Sequence, residues 1–139
     1  MTARVLAWVL EQLQHNSPVV LASVVGTKGS VPGKSGARLA MNRFQNWVGT
    51  VGGAGLEHRI LNRCKELLQE TKATSEVHTF GLNKGAKGYE VQPLDSLCGG
   101  QVTISLELML PMPHILLMGG GHCSEAVSYT HLRAHETYR

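Results

Sequence analysis

Four glycine-bordered clusters hold the residue types that could do chemistry in this chain. The first is Gly26 to Arg38, reading GTKGSVPGKSGAR. Glycines allow backbone N–H groups to turn inward together, and Lys28, Lys34 and Arg38 add positive charge. Gly29, Ser30, Lys34, Gly36 and Arg38 therefore form a candidate anion cradle, suited to a phosphate. It is not a Walker A loop, because Gly-Lys-Ser does not follow the first glycine at the required spacing. The plain alternative is a long hairpin loop with solvated lysines.

The second cluster is Val48 to Glu57, VGTVGGAGLE, a strand that meets glycines and then a helix start. Free N–H groups and the helix dipole favour an anion near Gly52 and Gly53. Glu57 is a candidate ligand contact, although an acid in a first turn also simply offsets the dipole. The third is Cys98-Gly99-Gly100. A cysteine beside two glycines can be exposed, and a thiolate is both a soft metal ligand and a nucleophile. The competing role for Cys98 is a small buried hydrophobe. The fourth is HILLMGGGHCSEA, where Gly119, Gly121 and Ser124 resemble a dinucleotide fingerprint after an apolar strand. The ribose-binding acid and crossover helix that would complete it are absent.

These clusters need elements to position them. Ala3 to Gln14 repeats apolar residues at helical spacing with Thr2 as cap, and Asn16-Ser17-Pro18 stops it. Val19 to Val25 reads as a buried strand. Ala37 to Met41 and Trp47 to Val51 read as a hairpin around a turn at Asn42 to Asn46. Leu56 to Glu70 is a helix whose core stripe is Leu56, Ile60, Leu61, Cys64, Leu67 and Leu68, which makes Cys64 a packing residue. Val77 to Phe80 is a weak strand, and 81–92 a polar, flexible connection. Gln101 to Leu108 alternates as a half-buried strand. Pro111-Met112-Pro113 is a linker, and His114 to Met118 an apolar strand. The fold class is α/β: a small mixed sheet of about five strands with two helices, then the truncated first strand and turn of a Rossmann-like domain.

Composition narrows the function. Hydrophobic residues make up 42%, so the chain can build a core. A net charge of +3, without a basic run interleaved with aromatics, argues against nucleic acid. Three widely spaced cysteines give neither a disulfide framework nor a CxxC zinc pair. No apolar run suggests a signal peptide or membrane span, so the expected location is cytoplasmic. His15, His58, His78 and His114 are scattered and read as surface or packing residues. No nucleophile–base–acid set stands out around Ser30, Glu57 and His58. Ser128 to Thr137, SYTHLRAHET, matches a translated transposase sequencing adapter, so 127–139 is set aside, together with the i, i+4 pair His131 and His135.

Taken in order, the clusters resemble the xanthine dehydrogenase accessory factor family, XdhC/CoxI. The resemblance rests on Val20 to Val25, Gly29-Ser30-Val31-Pro32, Gly36-Ala37-Arg38-Leu39, Gly49 to Glu57, Cys98-Gly99-Gly100 and Gly119-Gly120-Gly121-His122. Gly33 stands where the family usually has arginine, and Ala54 where it has a third glycine. The resemblance implies a domain over 1–110, a truncated start of a Rossmann-like domain over 111–126, and an adapter-derived tail. It further implies an accessory factor, not a turnover enzyme, that binds molybdenum cofactor (molybdopterin). Such a factor assists sulfuration with a cysteine desulfurase and passes the cofactor to an apo-molybdenum hydroxylase. Cys98 would be a molybdenum contact, and a homodimer is the expected assembly. The alternatives are an NAD(P)-binding oxidoreductase fragment or an inactive fragment.

Overall fold

The computed structural model describes residues 2–31, 33–82, 91–93, 99–113 and 115–119. Its elements in chain order are α1 (Thr2–Gln14), β1 (Val19–Lys28), β2 (Arg38–Asn42), β3 (Trp47–Gly49), α2 (Ala54–Leu67), β4 (Thr74–Gly81), β5 (Val91–Pro93) and β6 (Gln101–Met109). The strands form one six-stranded sheet in the order β3-β2-β1-β6-β4-β5. All neighbours are antiparallel except β4 and β5, so the sheet is mixed, as expected for this α/β chain.

Period-two alternation sorts the strand side chains between two helices. Val20, Ala22 and Val24 of β1, Leu39 and Met41 of β2, and Val102, Ile104, Leu106 and Leu108 of β6 face one way. They form the main core with Leu56, Ile60, Cys64 and Leu67 of α2. These four recur at intervals of four, four and three, the stripe a helix needs to cover a sheet. On the other face, Val19, Leu21 and Ala40 pack with Val5 and Val9 of α1. α1 ends in a Schellman motif: Asn16 takes a left-handed φ of 61°, Asn16 N–H reaches the Leu13 carbonyl, and Ser17 N–H reaches Gln12. Buried Asn42 organises the next turn. Its side-chain oxygen accepts from the N–H groups of Phe44 and Asn46, and its amide donates to Gln12 of α1.

Several boundaries depart from expectation. Thr2 is the first helical residue instead of a cap. β1 runs on through Gly26, Thr27 and Lys28, because β6 continues beside it past a register shift between Val24 and Gly26. Gly81 closes β4 and Val91–Pro93 form β5, where a polar connection was expected. β5 is an outer strand, where a sheet tolerates proline. The strand expected at His114 to Met118 is corrected: Ile115 to Met118 form no strand and are exposed, and His114 lies outside the described residues. An apolar run becomes a strand only when a neighbour supplies its hydrogen-bond ladder.

Candidate functional site

Three glycine-bearing segments meet at one end of the sheet. The first is the loop after β1. Gly36 N–H donates to the Val24 carbonyl at 2.8 Å, and Val24 N–H donates to Ala37 at 2.9 Å. This ties the loop's return limb back onto β1. The Arg38 guanidinium donates to the Gly36 carbonyl at 2.9 Å and braces the loop from its base. Ser30 and Lys34 are exposed at its rim.

The second segment is the turn between β3 and α2. Thr50 N–H donates to the Arg38 carbonyl at 3.0 Å. The Thr50 hydroxyl accepts from Gly52 N–H at 3.1 Å and donates to the Glu57 carboxylate. Gly53 is the N-cap of α2, and no side chain caps that end. The first N–H groups of a helix have no partner within it, so this end presents donors.

The third segment is Gly99-Gly100, ahead of β6. A β-carbon on Gly100 would stand 2.4 Å from the Ser30 carbonyl oxygen and 2.5 Å from that of Lys28. One on Gly33 would stand 2.5 Å from the Val51 carbonyl oxygen. Gly100 therefore presses on the first segment, and Gly33 presses the first on the second. Leu82 N–H donates to the Gly100 carbonyl at 2.9 Å and adds the end of β4.

Of the residues singled out from sequence, Gly29, Ser30, Lys34, Gly36, Arg38, Gly52, Gly53, Glu57, Gly99 and Gly100 belong to these three segments. Cys98 lies outside the described residues, as do Gly121 and Ser124. Gly119 is exposed, with nothing within 4 Å of its β-carbon position. The dinucleotide alternative loses the strand that should precede Gly119. Thr50 was not singled out: a threonine at a strand end is ordinary, and nothing in its spacing to Glu57 signals a bond. Among the described residues, no group of three His, Cys, Asp or Glu could hold a metal.

Further along α2, Arg63 fastens the helix to β4. Its guanidinium meets both Glu76 carboxylate oxygens, at 2.5 and 2.9 Å, and Glu66 at 2.5 Å. The hydrogen bond from Arg63 holds the Glu76 carboxyl down at about 2; burial opposes this and His78 assists. Glu76 and then Glu66 raise the Arg63 pKa in turn. His78 donates to Glu76 at 2.9 Å, Asn62 donates to His58, and His15 donates to the Glu11 carbonyl. Burial pushes the Cys64 thiol up to about 12, in keeping with a packing role.

No helix is long and apolar enough to cross a membrane among the described residues. A sequence model of the XdhC and CoxI family matches residues 12–81. The uncharacterized protein YqeB of Escherichia coli K12 is 28% identical over 115 residues, 83% of this chain and 20% of that protein. The crystal structure of a xanthine dehydrogenase from Bacillus halodurans matches with a TM-score of 0.53 at 25% identity, over 73% of this chain and 29% of that one. The chain thus spans a fifth of the curated relative's length.

Proposed function

The chain belongs to the XdhC and CoxI family, and from that premise we propose that it acts as an accessory factor in the maturation of a xanthine dehydrogenase-type molybdenum hydroxylase. In this reading it binds molybdenum cofactor, assists its sulfuration with a cysteine desulfurase, and delivers it to the apo-enzyme. The observation that carries the reading is that Gly100 presses on the loop after β1, and Gly33 of that loop presses on the turn that leads into the uncapped start of α2.

The chemistry of these residues fits a phosphorylated ligand. The N–H groups of Gly36 and Gly52 are spent on Val24 and Thr50, so the donors offered to a phosphate are those at the start of α2, where the helix adds partial positive charge. Lys34 at the rim would attract the phosphate, and Ser30 offers a hydroxyl. Arg38 braces the Gly36 carbonyl, so its first task is to hold the loop's shape. Glu57 is bound to Thr50, which makes it part of the frame. Cys98, two residues before Gly100 in the chain, would supply a soft sulfur for the metal or its sulfido group. When bound, the cofactor contributes the molybdenum that the client hydroxylase requires.

The test is cofactor retention. The full chain is purified from cells that make molybdopterin, and bound pterin and molybdenum are quantified. Lys34→Glu should retain at least tenfold less than wild type, since one charge-assisted hydrogen bond is worth roughly 1.5–3 kcal/mol. Cys98→Ala should lose molybdenum or its sulfido group in preference to pterin. Undiminished cofactor in both variants, or none in wild type, rejects the reading.

A further inference from the structure

We infer that the groove between α1 and the outer strand β3 is a docking site for an extended segment of a protein partner, which adds to β3 as a further strand and brings an acidic side chain to Arg4. The inference goes beyond the accessory-factor reading and needs no cofactor.

The ladder fixes which backbone groups face outward. Asn42 N–H donates to the Asn46 carbonyl at 2.9 Å, and Thr50 N–H donates to the Arg38 carbonyl at 3.0 Å. Midway between these bonds, Ala40 stands opposite Val48. Bonded and unbonded pairs alternate along an antiparallel ladder, so Val48 bonds to Ala40 while Trp47 and Gly49 turn away from β2. A planar trans peptide points its N–H and C=O in opposite directions. The N–H and C=O groups of Trp47 and Gly49 are therefore directed off the sheet. No strand among the described residues pairs with them there.

This edge is unguarded. The opposite outer strand, β5, carries Pro93, which blunts an edge by removing a donor. Trp47-Val48-Gly49 has neither proline nor charge, and Trp47 is exposed. Three residues of strand limit the addition to a short segment. Beside the edge lies a groove of about 370 Å³, lined by Arg4 and Val5 of α1 and by Trp47, Val48, Gly49 and Thr50. Gly49 lets the helix close on the strand, since a β-carbon there would stand 2.9 Å from a Val5 methyl. A helix beside an open strand edge is the geometry of peptide recognition by strand addition.

Two features select the occupant. Side chains alternate across a strand, and Val48 packs on the α1 side. The incoming residue opposite Val48 thus enters the groove, where it meets Val48, Val5 and Arg4. Arg4 is the charged residue of the lining, and among the described residues no ion pair engages it. An aliphatic stem ending in a carboxylate, as in glutamate, matches both the valines and the cation. Trp47 lies on the other face, so the incoming residue opposite it is apolar and covers the indole. A second copy, paired about a twofold axis at Val48, would set another valine there and leave Arg4 unmatched.

The test uses the full chain, the capped peptide acetyl-STEVTS-amide and amide NMR. In antiparallel register the peptide's first threonine faces Gly49, its glutamate Val48 and its valine Trp47. The peptide should shift the Trp47 and Gly49 amides saturably and slow their exchange with solvent. Methylating the valine nitrogen removes a ladder donor and should abolish these shifts. Methylating the glutamate nitrogen, which points away from β3, should leave them in place. Changing the peptide's glutamate to lysine, or Arg4→Glu in the protein, should each weaken binding about fivefold, and the two changes together should restore it. Arg4→Glu places an acid in the first turn of α1, where the helix dipole favours it, so the variant folds. Absence of shifts at Trp47 and Gly49 overturns the inference, as does equal tolerance of methylation at both nitrogens. So does an Arg4→Glu variant that binds both peptides alike. Protection of the two amides that grows with protein concentration alone assigns the edge to a second copy and also overturns it.

Discussion

Gly100 sits against Ser30 so closely that a β-carbon on the first would stand 2.4 Å from the carbonyl oxygen of the second. The contact is with backbone, which cannot swing aside. Gly100→Ala must therefore push β6 and the loop after β1 apart. We expect a loss of about 1–3 kcal/mol, the usual range for overpacking. Gly99→Ala, with nothing within 4 Å of its β-carbon position, should stay within about 0.5 kcal/mol of wild type. Urea unfolding of the two variants side by side checks the contrast.

Gly36 and Gly49 form a second pair. Both have left-handed φ values, 91° and 86°. At Gly36 the space is open, so alanine should bring only the conformational strain of about 1–2 kcal/mol. At Gly49 the added carbon also meets the Arg38 carbonyl oxygen and, at 2.9 Å, a Val5 methyl. Gly49→Ala should therefore be the more destabilising of the two by thermal unfolding, and equal losses would contradict the packing described.

The Arg63–Glu76 pair gives a signed pH dependence. Glu76 moves from 4.5 down to about 2 on folding, so the folded form favours its ionised state. Its contribution is complete above pH 4.5 and disappears as pH falls from there towards 2. Because the Arg63 side chain is 40% exposed, solvent screening reduces the contribution to about 1 kcal/mol. Glu76→Gln should be less stable than wild type at pH 7 and should show a flatter acid limb. A variant curve parallel to wild type from pH 5 to 2 would remove the pair from the account.

Cys64 is fully buried in the main core, and burial raises its thiol pKa to about 12. The thiolate is the reactive form, so native Cys64 should resist iodoacetamide at pH 8 and label only on unfolding. Peptide mapping by mass spectrometry distinguishes it from Cys98 and Cys123. Prompt labelling of the folded chain at Cys64 would show that α2 does not cover the sheet as described.

Much of the framework was readable because its signals are local. Val102, Ile104, Leu106 and Leu108 alternate, and all four are buried. Leu56, Ile60, Cys64 and Leu67 repeat at helical spacing, and all four meet the sheet. What failed depends on partners remote in sequence. β1 continues through three residues of low apolarity because β6 lies beside it. Val91–Pro93 become a strand only against β4. Ile115 to Met118 have the composition of a strand but no described neighbour. The site divides the same way. Clustered glycines flagged all three segments, because close backbone approach demands them. The Thr50–Glu57 bond went unseen, because it depends on how the turn folds.

The order of strands also sets a timetable. β6 stands between β1 and β4, yet it is the last strand described in the chain. A ribosome that has released the first eighty residues has delivered β1 to β3 and nearly all of β4, with nothing to join them. The nascent chain must keep the apolar faces of Val20, Leu39 and Phe80 waiting until Gln101–Met109 emerges. Completion of the sheet and closure of Gly100 onto Ser30 then come in the same late step, which waits until synthesis has passed β6.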